Sequence, residues 1–370
     1  MKPLNSSKFE IPFYIKTSFI LVTIFVSISM LYYAQNLIVP IVFSVLLAIM
    51  LNPIVNFFIR LKINRIFSIL IVLILSVCIL YAFVAFVYAQ LTQFSESWPI
   101  FVTKFTTLLN EIIITFSDYI DIKPQLIHDW ISKTKTELIN TNSTIITQII
   151  VSLGSSLSMV LLVPVYIFVF LFYQPLLLEF IHKLFDANKQ TEVASIVTQT
   201  KSVVQHYLLG LVIETAIVAM LDSAALLILG VDYAILLGVI AGLLNMIPYI
   251  GGIIAVALPM MVALVTKSSP MYAIYILIIF YIIQLVDNNY IVPKVVASKV
   301  KINALFSIIV VLAGNALWGV AGMFLSIPIL AIVKVICDHI ESLKPWGFLL
   351  GDTMPSILKF KKFKSKRMQF

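Results

Sequence analysis

Two acidic residues lie inside an apolar segment that is long enough to cross a lipid bilayer. Glu214 and Asp222 both fall within the span 207–229. An ionisable side chain at the centre of such a helix costs about 2.5–3.5 kcal/mol, and it usually faces the bundle interior or an aqueous cavity. The two acids are eight residues apart, so they lie about 80° apart around a helix and share one broad face. They could bind a coupling cation, or take up and release protons.

A second interpretation of these acids is structural. Both could lie near the ends of the span, where they would be hydrated or paired with Lys201 or with a lysine of the loop 287–303. The sequence leaves both interpretations open.

The next apolar segment, 233–266, is interrupted in its middle by residues that break helices. Proline lacks a backbone donor, and glycine allows the chain to leave helical geometry. In hydrocarbon the freed peptide groups must be satisfied by protein or by water in a cavity, so a broken helix at this depth predicts a binding site. The interrupting and adjoining residues are Asn245, Pro248, Tyr249, Gly251, Gly252 and Pro259.

A later segment, 304–335, repeats this pattern, although apolar sequences rich in glycine can also resemble each other by chance. Each segment has about 33 residues, or about 50 Å of helix, whereas one crossing needs about 20 residues. Each is therefore too long for one span and too short for two, which favours a re-entrant hairpin of two half-length helices. Its corresponding residues are Gly314, Asn315, Gly319, Gly322 and Pro328.

The loop 287–303 between the segments indicates how the hairpins enter the membrane. Its lysines, Lys294, Lys299 and Lys301, outnumber its one acid, Asp287. Cytoplasmic loops collect Lys and Arg. If both segments are hairpins the loop is cytoplasmic, so the first hairpin enters from the outer face and the second from the inner face.

Neutral polar residues beside these breaks suit a polar solute or a bare sodium ion. For each alone, a helix cap or a hydrogen bond between helices is an equally simple role. Besides Asn245 and Asn315, these residues are Gln284, Asn288 and Asn289, with Pro293 following them.

Composition restricts the class of protein. The chain is 61% hydrophobic and only 11% charged, whereas soluble domains average about 25% charged residues. The sequence therefore predicts an all-α polytopic membrane protein with about six full transmembrane helices and two broken or re-entrant hairpins. The net charge of +8 is explained by cytoplasmic flanks, and a nucleic-acid partner is not expected.

No motif for catalysis or for a metal is present in the sequence. The two cysteines lie in apolar segments. The four histidines are scattered, and none of them pairs with a carboxylate at the spacing of metal ligands. There is no phosphate-binding loop, no HExxH and no nucleophile elbow. We therefore expect neither an enzyme nor a cofactor, apart from a coupling H⁺ or Na⁺.

The chain divides into four predicted regions. Three transmembrane helices occupy 1–92. The amino terminus is predicted to be cytoplasmic because the link 60–65, two spans later, is basic, and the carboxyl terminus because its tail is basic. An extracytoplasmic amphipathic insert follows at 93–145. The transport core is 146–337 and contains both broken segments, and 338–370 is a basic cytoplasmic tail.

Three pieces of sequence resemble the autoinducer-2 exporter family, the permease-M-like membrane proteins. They are Asn245-x-Ile-Pro248-Tyr249-Ile-Gly251 with Pro259, then Val292-Pro293 before a basic polar stretch, then Gly314 through Gly319-x-x-Gly322 to Pro328. The resemblance covers nearly the whole chain. It implies a homo-oligomeric exporter, with a pentamer as one candidate, in a bacterial cytoplasmic (inner) membrane. Members are linked to a furanone-type quorum signal or to sodium–proton exchange.

These features predict an exporter of a small polar molecule, driven by an ion gradient through alternating access. One alternative is an ion antiporter of the Na⁺/H⁺ type on the same scaffold. A second alternative is a membrane scaffold or assembly protein that transports nothing. The solute and the ion are not fixed by the sequence.

Overall fold

The computed structural model describes residues 12–117, 157–247, 251–295 and 302–353. These ranges are helical, and one isolated bridge between Ile302 and Gly351 is the only β pairing in them. Seven of the described helices are long and apolar enough to cross a membrane. A helix satisfies its own peptide groups, which is why apolar segments of this length form helices in lipid. The predicted all-α polytopic membrane fold is confirmed.

Six of the eleven described α-helices are longer than the roughly 20 residues that one membrane crossing needs. A π-helical turn, Asp287–Ile291, joins α8 to α9, and a single 3-10 turn precedes α5. The helices are α1 Phe13–Tyr33, α2 Gln35–Arg60, α3 Arg65–Ser117, α4 Leu157–Lys183, α5 Gln190–Ile228, α6 Ala234–Asn245, α7 Gly251–Thr266, α8 Met271–Val286, α9 Val292–Val295, α10 Ala304–His339 and α11 Lys344–Leu350.

The first broken segment forms a hairpin of two short helices, α6 and α7, which we call the first hairpin. They have 12 and 16 residues, fewer than the roughly 20 of a full crossing. At the return, a Cβ added to Gly251 would overlap the carbonyl oxygen of Leu244, so the two arms can approach closely only with glycine there. The predicted site residues Pro248 and Tyr249 lie outside the described residues.

The second broken segment, α10, is also a hairpin, which we call the second hairpin. Its helical geometry is lost at Trp318 and at Gly319, where φ is +60°. Ser326 Oγ donates a hydrogen bond of 2.8 Å to the carbonyl of Val310. These residues are 16 positions apart, about 24 Å along a straight helix, so the chain must fold back between them. Since α10 is one of the seven candidate spans, the described residues contain six continuous candidate spans and two hairpins, as the sequence predicts.

The two hairpins enter the bundle from opposite ends of α5. The open end of the first hairpin packs on the C-terminal end of α5, where Val231 and Val265 join one core cluster with Leu226. The open end of the second hairpin packs on the N-terminal half of α5, where Ile302 and Val335 contact Val203. Entry from opposite ends accords with the arrangement favoured by the lysines of the loop 287–303, while the membrane face that each hairpin enters stays a prediction.

Helix α3 continues past residue 92 into the predicted insert without a break. Its 53 residues extend about 80 Å, far more than the roughly 30 Å of hydrocarbon. Phe94 and Phe101 on this extension contact the ring of Tyr233, with centroids 5.3 and 5.9 Å apart. The extension therefore braces the entrance of the first hairpin. Residues 118–145 of the predicted insert and 354–370 of the predicted tail lie outside the described residues.

Candidate functional site

A cavity of about 750 Å³, which we call the carboxyl cavity after its acids Glu214, Asp222 and Asp287, lies between α5, the first hairpin, α8 and the π-helical turn. This volume is within the range of cavities that hold small organic molecules. Its lining is mainly apolar, with a few polar groups that converge on one side. The polar and tyrosine side chains that line it are Tyr207, Glu214, Asp222, Asn245, Tyr281, Gln284, Asp287 and Asn288.

Close packing of α6 on α5 fixes one wall of the cavity. A Cβ added to Gly238 would overlap Ser223, and one added to Gly242 would overlap Ala219. Small residues at such contacts let two helices approach backbone to backbone. The first arm of the hairpin is therefore held in register on α5, and its last residue, Asn245, is placed opposite Glu214.

The amide of Asn245 joins two carboxyl groups that belong to different helices. Its Nδ2 donates to Glu214 Oε1 at 3.4 Å and to Asp287 Oδ2 at 3.0 Å. Gln284 Nε2 donates to the same Asp287 oxygen at 3.4 Å. The tip of the first hairpin is thus tied both to α5 and to the end of α8. A change in charge on either carboxyl group changes the hydrogen bonds that hold this tip.

Asp287 is the central acid of this network, and the sequence analysis did not select it as a site residue. Asp287 begins the polar run after an apolar span, and this pattern predicts a charge in a loop. In the structure it is 1% exposed and begins the π-helical turn. Single π-helical turns occur often at functional sites. Its spacing of three residues from Gln284, which places both on one helix face, was the available signal.

Asp222 also lines the carboxyl cavity, further toward the C-terminal end of α5 than Glu214. It is eight residues from Glu214, about 12 Å along the helix, and only 3% exposed. Asp222 Oδ1 and Asp287 Oδ1 are buried, and neither accepts a hydrogen bond from any residue that the structure describes. Buried charge without a partner is strongly unfavourable, so these oxygens favour a bound proton or cation.

The electrostatic character of the cavity is set by its acids. No lysine, arginine or histidine is among the described residues that line it, and no described cation lies within ion-pair distance of Glu214, Asp222 or Asp287. Lys201, the partner considered for these acids, lines a separate pocket with Arg60. The described part of the chain therefore gives this cavity three acids and no compensating base.

A multidentate metal site is not formed by the described residues. No three His, Cys, Asp or Glu side chains among them are placed to ligate one ion. The amides of Asn245 and Gln284 present N–H donors to Asp287, not oxygen ligands.

Six of the predicted site residues meet in this cavity. The amide of Gln284 lies 3.1 Å from the position that a Cβ on Gly252 would take. Asn288 lines the cavity beside Asp287. The six residues are Glu214, Asp222, Asn245, Gly252, Gln284 and Asn288.

Other predicted residues near the first hairpin have different positions. Gly251 serves the tight return of the first hairpin. Asn289 is exposed and donates to the carbonyl of Leu285 at 2.8 Å, and Pro293 is exposed on α9. A proline there has no N–H to offer the preceding turn, which accords with the π-helical geometry just before it.

The predicted residues of the second hairpin lie outside the lining of this cavity. Asn315 is exposed, and Gly319 forms the tip. Gly322 and Pro328 are buried in the returning arm. Ser326 and Gly314 pack against Gly322, so this hairpin is closed on itself.

Comparison with known proteins identifies the family of this chain. Residues 19–342 match the model described as AI-2E family transporter. The AI-2 transport protein TqsA of Escherichia coli is 23% identical over 321 residues, which cover 86% of this chain and 91% of TqsA. The provisionally named transport protein YhhT of Escherichia coli is 24% identical over 337 residues, 90% of this chain and 94% of YhhT.

A relative from a second organism matches over a similar length. The provisionally named transport protein YrrI of Bacillus subtilis is 24% identical over 309 residues, covering 82% of this chain and 87% of YrrI. The matched region includes every helix that lines the carboxyl cavity. This chain belongs to the AI-2E transporter family and is a membrane transport protein.

Proposed function

We propose that the protein exports a small polar molecule by alternating access, driven by H⁺ or Na⁺ that binds in the carboxyl cavity. The single observation that carries this proposal is the bridge from Glu214 through Asn245 to Asp287. It connects acids on α5 and α8 through the tip of a broken helix. A cation that enters the bridge competes with the amide of Asn245 for the carboxyl oxygens. Binding is thereby coupled to movement of the first hairpin.

The chemistry of the site supports a coupling cation. Two carboxyl groups that share one amide donor in a buried site repel each other when both are ionised, and a proton or cation between them removes that repulsion. The two oxygens without a described partner, on Asp222 and Asp287, supply acceptors for it. Asp222 then serves as a second binding position for the cation, toward the C-terminal end of α5, where the first hairpin enters.

The solute would occupy the remaining volume of the cavity, beside the cation. Tyr207, Tyr281 and Asn288 offer hydroxyl and amide groups to a polar molecule, and the apolar walls offer it surface to pack against. The relative TqsA is named an AI-2 transport protein, which makes AI-2 the first solute to test. Export is the direction that we propose for this chain.

The proposed setting is a bacterial cytoplasmic membrane, in which the chain forms a homo-oligomer with both termini inside. The positive charges of the α2–α3 link, Arg60, Lys62 and Arg65, support this orientation. A cysteine at Ser268, beside the open end of the first hairpin, should then react with an impermeant reagent from outside. A cysteine at Glu341, beside the open end of the second hairpin, should react from inside, and the reverse pattern contradicts the orientation.

Flux through purified protein in vesicles tests the proposal. Glu214→Gln removes the charge and keeps the shape, so AI-2 flux driven by a pH or Na⁺ gradient should fall at least about 100-fold while the protein still inserts. Glu179→Gln is the matched control, because Glu179 is exposed and forms an ion pair with Lys183 at 3.4 Å, outside the carboxyl cavity. Equal flux in Glu214→Gln and the wild type would show that the acid does not participate.

A second candidate function is exchange of cations without an organic solute. Three acids and no basic group among the described lining residues favour it. In vesicles that contain a pH dye and no organic solute, a Na⁺ gradient should then move protons through the wild type. A pH change that requires AI-2 favours solute export, and one that does not require it favours exchange.

A further inference from the structure

A second, smaller pocket lies between α2 and α5, toward the end of the bundle that carries the α2–α3 link. Its volume is about 350 Å³, and it is separate from the carboxyl cavity. No acid is among the described residues that line it. The lining residues are Pro53, Asn56, Phe57, Arg60, Lys201 and Gln205.

The wall of this pocket is built around a proline in α2. Pro53 has no N–H, so it cannot donate to the carbonyl of Ile49 four residues earlier. Gln205 on α5 donates its Nε2–H to that carbonyl at 2.7 Å. This bond satisfies the freed oxygen and ties the two helices together beside the pocket. The opening at Pro53 is therefore a built feature of the α2–α5 contact.

A second pair of amides orders the α2 side of the pocket. Asn56 Nδ2 donates to Asn52 Oδ1 at 2.8 Å, and Asn52 is only 3% exposed. The amide of Asn56 is thereby fixed on the buried Asn52. The pocket has polar walls held by hydrogen bonds, with charged side chains at its edge.

The charges at this edge are positive and unpaired within the described chain. Neither Arg60 nor Lys201 belongs to any of the three described ion pairs. Arg60 is in the last turn of α2, where a cation also complements the helix dipole. Lys201 is in the interior of α5 and has no such explanation. Two cations in one polar pocket, with no acid, form a site for an anion.

We infer that Arg60 and Lys201 bind a phosphate-bearing anion, supplied either by the headgroup of an anionic phospholipid or by soluble phosphate. Basic pockets between transmembrane helices at the cytoplasmic surface commonly hold acidic headgroups. The guanidinium of Arg60 can engage two phosphate oxygens at once, while Lys201 supplies a point charge. Phe57 offers an apolar surface beside the headgroup. This site is independent of the proposed transport function.

Lipid binding to the full-length protein tests the inference. The protein in detergent micelles is titrated with dioleoyl phosphatidylglycerol, and retained lipid is counted by native mass spectrometry. The double variant R60Q/K201Q should bind roughly 30-fold more weakly than the wild type. The matched control K62Q/K189Q removes two exposed cations outside the pocket and should bind as the wild type does. If the double variant fails to fold, K201Q alone should still weaken binding about five-fold.

Two further titrations separate the sources of the anion. Dioleoyl phosphatidylcholine should bind poorly to the wild type if the pocket selects net negative charge. Inorganic phosphate that displaces phosphatidylglycerol equally from the wild type and from K62Q/K189Q indicates a soluble ligand for the same pocket, whereas no displacement leaves the lipid headgroup as its ligand. Equal weakening in both double variants, or equal binding of the two lipids, overturns the inference.

Discussion

The two hairpins share a sequence pattern but present their polar residues to different surroundings. Asn245 of the first hairpin bridges two carboxyl groups inside a cavity. Asn315 holds the corresponding place in the second hairpin, is exposed, and makes no hydrogen bond from its side chain within the described chain. Within the described chain, only the first hairpin places its polar residue against carboxyl groups. The roles of the second hairpin's residues stay predictions.

The difference follows from what each hairpin packs on. The first hairpin is held by α5, through Gly238 and Gly242, and leaves its tip to contact acids. The second hairpin also packs on α5, but its glycines Gly314 and Gly322 lie against its own arms. Gly238 and Gly242 of the first hairpin instead serve its approach to α5.

The largest effect is expected from filling the closure of the second hairpin. Gly322→Val would drive a side chain into the carbonyl of Gly314, and the buried arms have no room to relax. Most of the protein should fail to fold, as measured by fluorescence-detected size exclusion in detergent. Ala316→Val, at an exposed position of the same hairpin, is the control and should give a normal yield. Normal folding of Gly322→Val would contradict the close packing of the arms.

The two asparagines provide the sharpest functional contrast. Asn245→Ala removes the hydrogen bond of 3.0 Å to Asp287, worth about 1.5–3 kcal/mol, and the longer one to Glu214, so flux should fall at least roughly 10- to 100-fold. Asn315→Ala should leave flux within about two-fold of the wild type, because its side chain contacts no described site group. Both rates are measured in vesicles at matched protein amounts. Equal losses in the two variants would mean that both hairpins contribute to the site.

The smallest effects are expected from removing two single hydrogen bonds that anchor the hairpins, one from a tyrosine hydroxyl and one from a tryptophan indole. Tyr233 OH and Ser97 Oγ lie 2.7 Å apart at the entrance of the first hairpin, and Trp318 Nε1 donates to Leu31 O at 3.0 Å at the tip of the second. Tyr233→Phe and Trp318→Phe should each lower the free energy of unfolding by about 1 kcal/mol. Thermal unfolding in detergent measures both changes. A loss of several kcal/mol for either would indicate a larger role than one bond.

The fold could be predicted from the sequence because lipid imposes few solutions. Apolar length gave the continuous spans, and the glycines and prolines near residues 248 and 319 gave the two hairpins. Glu214 and Asp222 could be selected because an acid in an apolar segment is costly. The sequence could not show that their shared face opens into a cavity, because that depends on which helices pack on α5.

Other parts of the site lie beyond what local pattern can reveal. Asp287 follows an apolar span in a polar run, so it was counted with the loop, and only the π-helical turn brings it inside. Asn245 and Asn315 hold corresponding places in the two segments, which suggests equal roles. Which neighbour each side chain faces depends on tertiary packing, so the sequence could not show that only Asn245 meets described carboxyl groups. Pro248 and Tyr249 remain predictions, since they lie outside the described residues.

Thiol blocking in the carboxyl cavity tests most directly whether transport passes through it. Ala255→Cys places a small thiol on the cavity wall, and Asn315→Cys places one on the second hairpin. Both are made after Cys78→Ser and Cys337→Ala remove the native thiols, and flux is followed before and after a cationic methanethiosulfonate reagent. The account predicts that the reagent abolishes flux through Ala255→Cys, that Na⁺ or H⁺ slows this loss, and that Asn315→Cys stays active. Full flux through modified Ala255→Cys, or block at Asn315→Cys alone, would contradict it.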